Sequence, residues 1–374
     1  MKRVPLLVLA VILLASVLGK GESSGGQNPQ WKGSIVKEGD VTVVRNPKEP
    51  LFKETIISFK EEISIGGAAA RGDDFLAVVR SLAVDDGGTI YILDEKDIVI
   101  KVFDKDGKFI RKFGQAGQGP GDLNNPSRIV LDRFQKAIMV INGAMGLSFF
   151  RFDGKFVKSF ATEDSKRAQL SRTDSRGNII LNSIKIQDSD HRWDILKKFD
   201  LNAASSMEIK VIPLGSPYDP LMPMVFWDID DNDNIYFGFP KDYGIEIISA
   251  RNQVVRKIVR DFTPVEPNSD VKSRIAQMLK RLPSDIASKL IISRYHSAFA
   301  NFMIDDQGWL FVANWEKVGK DYVYDVFDPE GRYIAKFIPP YKSIIIKKEK
   351  LYTSEEDEDG YQIVKRYAMT WLKK

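Results

Sequence analysis

Two histidines, His191 and His296, are the only imidazoles in this 374-residue chain, and cysteine is absent. That inventory excludes disulfides, thiolate-bound zinc, iron–sulfur clusters, a thiol nucleophile and any site built from three imidazoles. The basic residues are more informative. Arg80 and Arg128 stand among apolar neighbours, and two guanidiniums brought to one opening would hold a carboxylate or phosphate. Trp227, Asp228 and Asn301, with Gln169 and Lys342, occupy equivalent places in other segments. His296 follows Arg294-Tyr295 just before one of those segments. The expected ligand-binding set is therefore Arg80, Arg128, Trp227, Asp228, His296 and Asn301, with no catalytic residue and no metal ligand assigned.

Other motifs that imitate chemistry have simpler readings. Gly21-Glu22-Ser23-Ser24-Gly25 has the spacing of a hydrolase nucleophile turn, but neither a strand precedes it nor a helix follows. Gly114 to Gly121 is glycine-rich, yet Pro120 and Pro126 forbid the helix that a dinucleotide loop requires. Asp228 to Asn234 crowds four carboxylates into seven residues but lacks the glycine and distal glutamate of a calcium loop. It reads as a turn, with weak calcium binding as the alternative. Glu355 to Gly360 reads as a solvated hairpin tip.

The elements that would position these residues come from a repeat. An Asp, four mostly turn-forming residues and a strand-like apolar run recur at Asp85, Asp174, Asp230 and Asp305. A copy with one extra residue begins at Asp132, and a worn copy without its Asp begins at Ile346. The spacings are 47, 42, 56, 75 and 41 residues. A unit of roughly 40 to 45 residues is the size of a four-stranded propeller blade. A second hairpin follows in several units, as in Val102 to Ile110 and Val326 to Ile334. The expected fold is all-β: a six-bladed β-propeller of four-stranded antiparallel blades. The last unit has three evident strands, Ser343–Ile346, Leu351–Thr353 and Tyr361–Ala368. Phe59–Ile65 is expected to supply the fourth and join the two chain ends.

On these residues the chain resembles the NHL-type six-bladed propellers, and more closely an exported bacterial group of six-bladed propellers. The repeated Asp…Gly…Ile-Tyr turns carry the resemblance, with Phe103-Asp104-Lys105-Asp106-Gly107-Lys108-Phe109 and with Gly117 to Asp122 ahead of Asn125-Pro126. It covers Val41 to the C-terminus and implies a fold and a compartment, with little chemistry.

Lys2 and Arg3 precede an apolar run from Val4 to Leu18, 15 residues long and short of the ~20 that span a bilayer. Residues 1–19 are thus expected to be a signal peptide, 20–40 a flexible tether and 41–374 a single propeller domain. No stable membrane anchor is expected after cleavage, because Lys20 stands where a lipid-bearing cysteine would be. A helical insertion is expected over 263–296, between blades 4 and 5. Its first helix runs Ser269–Leu282, capped by Ser269 and with Val271, Ile275, Met278 and Leu282 on one face; its second runs from Ser284 to about Tyr295.

Lys+Arg number 55 against Asp+Glu 51, a formal charge of +4 that is too slight for a nucleic-acid partner. The function expected is an exported, non-catalytic binding or scaffold protein that uses a rim or the central channel for a partner protein or an anionic small molecule. No cofactor is expected. The alternative is a channel-centred, divalent-metal-dependent hydrolase or lyase resembling sugar lactonases, with Asp228 and Asn301 as its ligands.

Overall fold

The computed structural model describes residues 29–374 except 133, 135, 189–190, 201–204, 215–218, 222, 289, 291, 319–320, 340–342 and 374. The expected signal segment and Lys342 lie outside the described residues. From Trp31 onward the chain is one compact unit. Three strands come first: β1 (Ser34–Glu38), β2 (Val41–Asn46) and β3 (Ile57–Gly66). Blade 1 follows as β4 (Val79–Val84), β5 (Ile90–Asp94), β6 (Val99–Phe103) and β7 (Phe109–Phe113). Blade 2 is β8 (Arg128–Asp132), β9 (Ala137–Ile141), β10 (Leu147–Arg151) and β11 (Phe156–Phe160). Blade 3 is β12 (Ala168–Thr173), β13 (Ile179–Ile186), β14 (Arg192–Phe199) and β15 (Ser206–Pro213). Blade 4 is β16 (Phe226–Ile229), β17 (Ile235–Gly238), β18 (Gly244–Ile248) and β19 (Val254–Arg260). Two helices, α1 (Ser269–Arg281) and α2 (Ser284–Ala287), precede blade 5, which is β20 (Asn301–Ile304), β21 (Leu310–Val318), β22 (Asp321–Phe327) and β23 (Tyr333–Phe337). Blade 6 is β24 (Ser343–Lys347), β25 (Lys350–Glu356) and β26 (Gln362–Trp371).

Each blade is an antiparallel meander, and β3 pairs with β26 as the fourth strand of blade 6, as expected from Phe59–Ile65. Blade 4 is wider. Strand β2 adds to β19 in parallel and β1 adds to β2, which makes six strands. Strand β1 lies within the stretch expected to be a tether, where β-branched Ile35 and Val36 favour an exposed edge strand.

The repeated Asp earns its place in the turn. Asp174 Oδ1 accepts from the Arg176 and Asn178 amides at 3.0 and 2.9 Å, and Asp305 Oδ1 takes the amides of Gln307 and Trp309 in the same way. Asp104 and Asp328 repeat the arrangement in the second hairpins, and Asp357 in the turn between β25 and β26. This side-chain-to-backbone bonding closes the turn and offsets the unpaired amides. Gly177 has φ +78°, and the equivalent residue in the blade 4 turn is Asp233 at φ 62°. The copy that lacks its Asp solves the turn differently. Lys348 and Glu349 have φ 49° and 53° between paired Lys347 and Lys350, a two-residue hairpin loop of the type whose twist suits the flanking strands.

Second strands such as β5 and β9 are buried at every residue, whereas the outer strand β7 is exposed at its centre. The buried apolar residues form six clusters, one at each junction between neighbouring blades. The junction that closes the ring joins Ile65 of β3, Tyr352 and Val364 to Leu82, Ile90, Ile92 and Phe103 of blade 1. Buried polar groups reinforce single junctions. Arg260 of blade 4 bonds Asp325 of blade 5 at 2.8 Å, and the hydroxyls of Tyr243 and Tyr333 both donate to Asp325 at 2.6 Å.

The insertion differs from expectation in two respects. Asn268, not Ser269, caps α1, accepting from the Val271 amide at 2.9 Å, and Met278 is exposed while Ile275 is buried. Strand-favouring Ile292 and cap-favouring Ser288 and Ser293 weaken a second helix. The segment instead bonds outward: Ser293 Oγ donates to Asp219 at 2.5 Å and the His296 amide to the Val265 carbonyl at 2.9 Å. Helix α2 is accordingly one turn long. The expected solvated tip is also partly internal, since Glu355 is buried and accepts from Thr353 and from Tyr367 at 2.8 Å.

Closure by β3 sets a prediction. Ile65 is 3% exposed at the closing junction, whereas Ile35 on β1 is 49% exposed. Ile65→Asp buries an unpaired charge and is expected to lower stability by about 3 kcal/mol or more, against about 0.5 for Ile35→Asp. Urea unfolding midpoints read both; equal losses would mean that β3 does not close the ring.

Candidate functional site

Strands β4, β8, β12, β16, β20 and β24 each end their sheet with no further strand beside them. They pack against one another around the axis, β4 on β8, β8 on β12 and β16 on β20. The chain is a six-bladed β-propeller, and these strands line its channel.

Four charged side chains from four successive blades meet along these strands. Arg80 sits where the pairing of β4 with β5 skips a residue, between Val79 opposite Asp94 and Ser81 opposite Leu93. Such a bulge re-aims a side chain out of the regular alternation. Arg128 opens β8, opposite Ile141, and the Ile129 amide beside it donates to Ser81 Oγ of blade 1 at 3.2 Å. Arg172 lies on β12 opposite Ile180, and Asp228 on β16 opposite Tyr236. The Arg172 Nε donates to Asp228 Oδ1 at 2.8 Å, with both side chains mostly shielded from solvent. Arg80 Nε lies 4.0 Å from Glu95, a solvated pair of small energetic value.

Arg128 reports how crowded the arrangement is. Its side chain keeps contact with solvent. Even so, surrounding protein, then Arg172 and Arg80, push its pKa down to about 10 against a partial offset from Asp228. Among the described residues it forms no ion pair. Three guanidiniums are therefore set against Asp228 and the more distant, solvated Glu95, an excess of positive charge along the first strands.

Two of the other expected residues have different duties. Trp227 is 2% exposed, because its alternate position on β16 turns it into the junction with blade 3, where its indole donates to Asn182 Oδ1 at 2.9 Å. It is a core residue, not a channel ligand. His296 stacks on Trp315 of β21, centroids 4.0 Å apart and planes 9° from parallel. Burial, then Lys317, lowers its pKa, and its contacts are with blade 5, not with the arginines. Asn301 begins β20 and is exposed, and Gln169 occupies the bulge of β12. Arg172 is the residue that sequence reading missed. It lies two positions before the repeat Asp174, as Asp228 lies two before Asp230, and that shared offset is the signal that could have found it.

The carboxylates of the suspected calcium loop are engaged elsewhere. Asp228 holds Arg172, Asp230 accepts the amides of Asn232 and Asn234, and Asp233 accepts from Ser175 of the preceding blade. This is the geometry of a turn and of a blade-to-blade clasp.

Comparison with known proteins supports the same class. A family model described as a 6-bladed beta-propeller matches residues 72–172, which span blades 1 and 2. A presumed exported protein of Bacteroides fragilis superimposes with TM-score 0.57 at 14% identity, over 88% of this chain and 99% of that one. A member of the DUF4221 family from Bacteroides vulgatus gives TM-score 0.57 at 14% identity, over 85% and 99%. Protein brain tumor of Drosophila melanogaster is 26% identical over 123 residues, 32% of this chain and 12% of that protein. These similarities establish the fold; the chain spans about an eighth of the fly protein's length.

The Trp227 environment yields a pH prediction. Asp194 is 2% exposed and, among the described residues, its carboxylate accepts from Asn182 Nδ2 alone, at 3.0 Å to each oxygen, so burial raises its pKa to about 6. The fold thus favours the protonated acid, and its stability contribution falls as pH rises through the interval from about 4 to 6. Asp194→Asn is expected to stabilise the protein at pH 7.5 by up to about 3 kcal/mol, with the advantage shrinking toward pH 4. Chemical unfolding of both proteins across pH 4–8 measures the difference; a difference independent of pH would contradict the assignment.

Proposed function

We propose that this is an exported binding protein whose propeller channel recognises an anionic group, a carboxylate or a phosphate. The observation that supports it is the convergence of Arg80, Arg128 and Arg172 on Asp228, with Glu95 only loosely paired to Arg80. Guanidiniums suit such groups because their planar N–H pairs match two oxygens at once. Arg128 is the pivotal member: it has no carboxylate partner of its own among the described residues, and a bound anion would relieve its repulsion by Arg172 and Arg80.

The same arrangement disfavours the metal-dependent alternative. A carboxylate already bonded to a guanidinium at 2.8 Å, with two further cations in its surroundings, is a poor ligand for a divalent ion. Export is supported by the basic and then apolar start of the sequence, and by the description of the Bacteroides fragilis neighbour as exported. No step of bond making or breaking is assigned to the site.

Calorimetry with phosphate and citrate at two ionic strengths tests the proposal. Arg128→Gln is expected to keep the fold, because it removes a crowded cation, and to weaken binding at least tenfold, about 1.4 kcal/mol. Added salt should weaken wild-type binding as well. Equal affinity in wild type, Arg128→Gln and Arg172→Gln would refute it.

A further inference from the structure

Blades 4 and 5 enclose a second site, built on a distortion of β21. Ala313 pairs with Tyr324 and Lys317 with Tyr322, so Asn314, Trp315 and Glu316 bulge opposite Val323 alone. The bulge buries Asn314, which is 5% exposed. Its Oδ1 accepts from the Glu316 amide at 2.8 Å, but its Nδ2 has no partner among the described residues. Arg260, at the end of β19, is in the same condition. One terminal nitrogen donates to Asp325, the other to the Lys48 carbonyl at 3.1 Å, and Nε has no partner.

Asn314 and Arg260 both line one cavity of about 70 Å³, with Phe262 and Trp315 as its walls and Lys48 and Lys336 among its basic residues. None of the four charged channel residues lines it. At roughly 10–15 Å³ for one water, it has room for several heavy atoms. A buried donor left unbonded costs about 1–3 kcal/mol, and native proteins fill such positions. What fits here must accept at two points. The charges around it are mixed: Glu316 holds Lys336 at 2.6 Å and Asp325 holds Arg260, while Lys48 and Glu49, also in the wall, are drawn into no described ion pair.

We infer that this cavity is a binding site for the carboxylate of a small organic acid, with Asn314 Nδ2 and Arg260 Nε donating to its oxygens. A carboxylate is an acceptor-only group with two oxygens, which water is not. Phe262 and Trp315 receive the apolar remainder of the acid, Trp315 being fixed in place by its stack on His296 and by its indole bond to Ser297 Oγ at 3.3 Å. The site is independent of the channel: its donors belong to the junction of blades 4 and 5.

Sodium acetate is the probe, compared with sodium chloride at equal ionic strength on the full chain. Acetate is expected to raise the melting temperature of wild type saturably and beyond chloride. Asn314→Leu is expected to lose that response, with acetate affinity at least fivefold weaker by titration of the Arg260 Nε–H resonance in NMR. Asn314→Asp, which places an acceptor where the donor was, should lose it too and serves if the leucine variant does not fold. The double variant Arg80→Gln/Arg128→Gln should keep it. A wild-type response no larger than that of chloride would overturn the inference and leave a water-filled cavity. A response that survives in both Asn314 variants, or disappears in the arginine variant, would overturn it by placing acetate elsewhere.

Discussion

Each blade of this protein is apolar on both faces, and that constraint drives everything else. A four-stranded sheet of this kind gains its stability only by packing between two neighbours. In an open row the first and last blades would each leave a face in water, with Ile90, Ile92 and Phe103 at one end and Tyr352 and Val364 at the other. The ring removes both exposed faces. It is fastened by β3, a strand from the beginning of the chain that becomes the outermost strand of the last blade. Closure therefore depends on contact between segments some 300 residues apart in sequence, as Ile363 opposite Gly66 shows.

Function follows from the same closure. Once six sheets stand around an axis, their first strands must approach one another, and residues far apart in the chain become neighbours. Arg80, Arg128, Arg172 and Asp228 come from four separate blades and interact only because the ring exists. The unequal charge along these strands is the basis of the proposed recognition of an anion. The clasps between hairpins belong to the same logic: Asp233 holds Ser175 of the preceding blade, and Asp306 accepts from the Lys348 amide of the following one. The acidic residues that suggest metal chemistry in the sequence are largely spent on keeping turns and blades in register.

The fold was legible because its signal is repeated. An Asp that closes a turn, followed by a buried strand, recurs in almost every blade, and each copy strengthens the inference from the others. The closing strand followed from that pattern, because the last unit shows three strands and Phe59–Ile65 supplies the fourth. The insertion was harder, because one apolar periodicity can describe a long helix or a segment whose amides bond elsewhere, and only tertiary partners such as Asp219 decide. The candidate site was half legible. Arg80, Arg128 and Asp228 stood out as charges among apolar residues. Trp227 did not reveal that its indole faces a neighbouring blade, since one step along a strand reverses the side a residue presents. Arg172 stands two residues before its repeat Asp, as Asp228 does, and is passed over when only the strand entries are weighed. The unsatisfied donors of Asn314 and Arg260 have no counterpart in sequence at all, because a missing partner is a property of the packed chain.

The most direct measurement is anomalous diffraction from crystals soaked in selenate, an oxyanion, and separately in manganese. A selenate peak bounded by the guanidiniums of Arg80, Arg128 and Arg172, with no manganese at Asp228, is the result expected of an anion-recognising channel. Manganese bound by Asp228 and Asn301, with no selenate peak near Arg128, would contradict it and return the channel to metal-dependent chemistry.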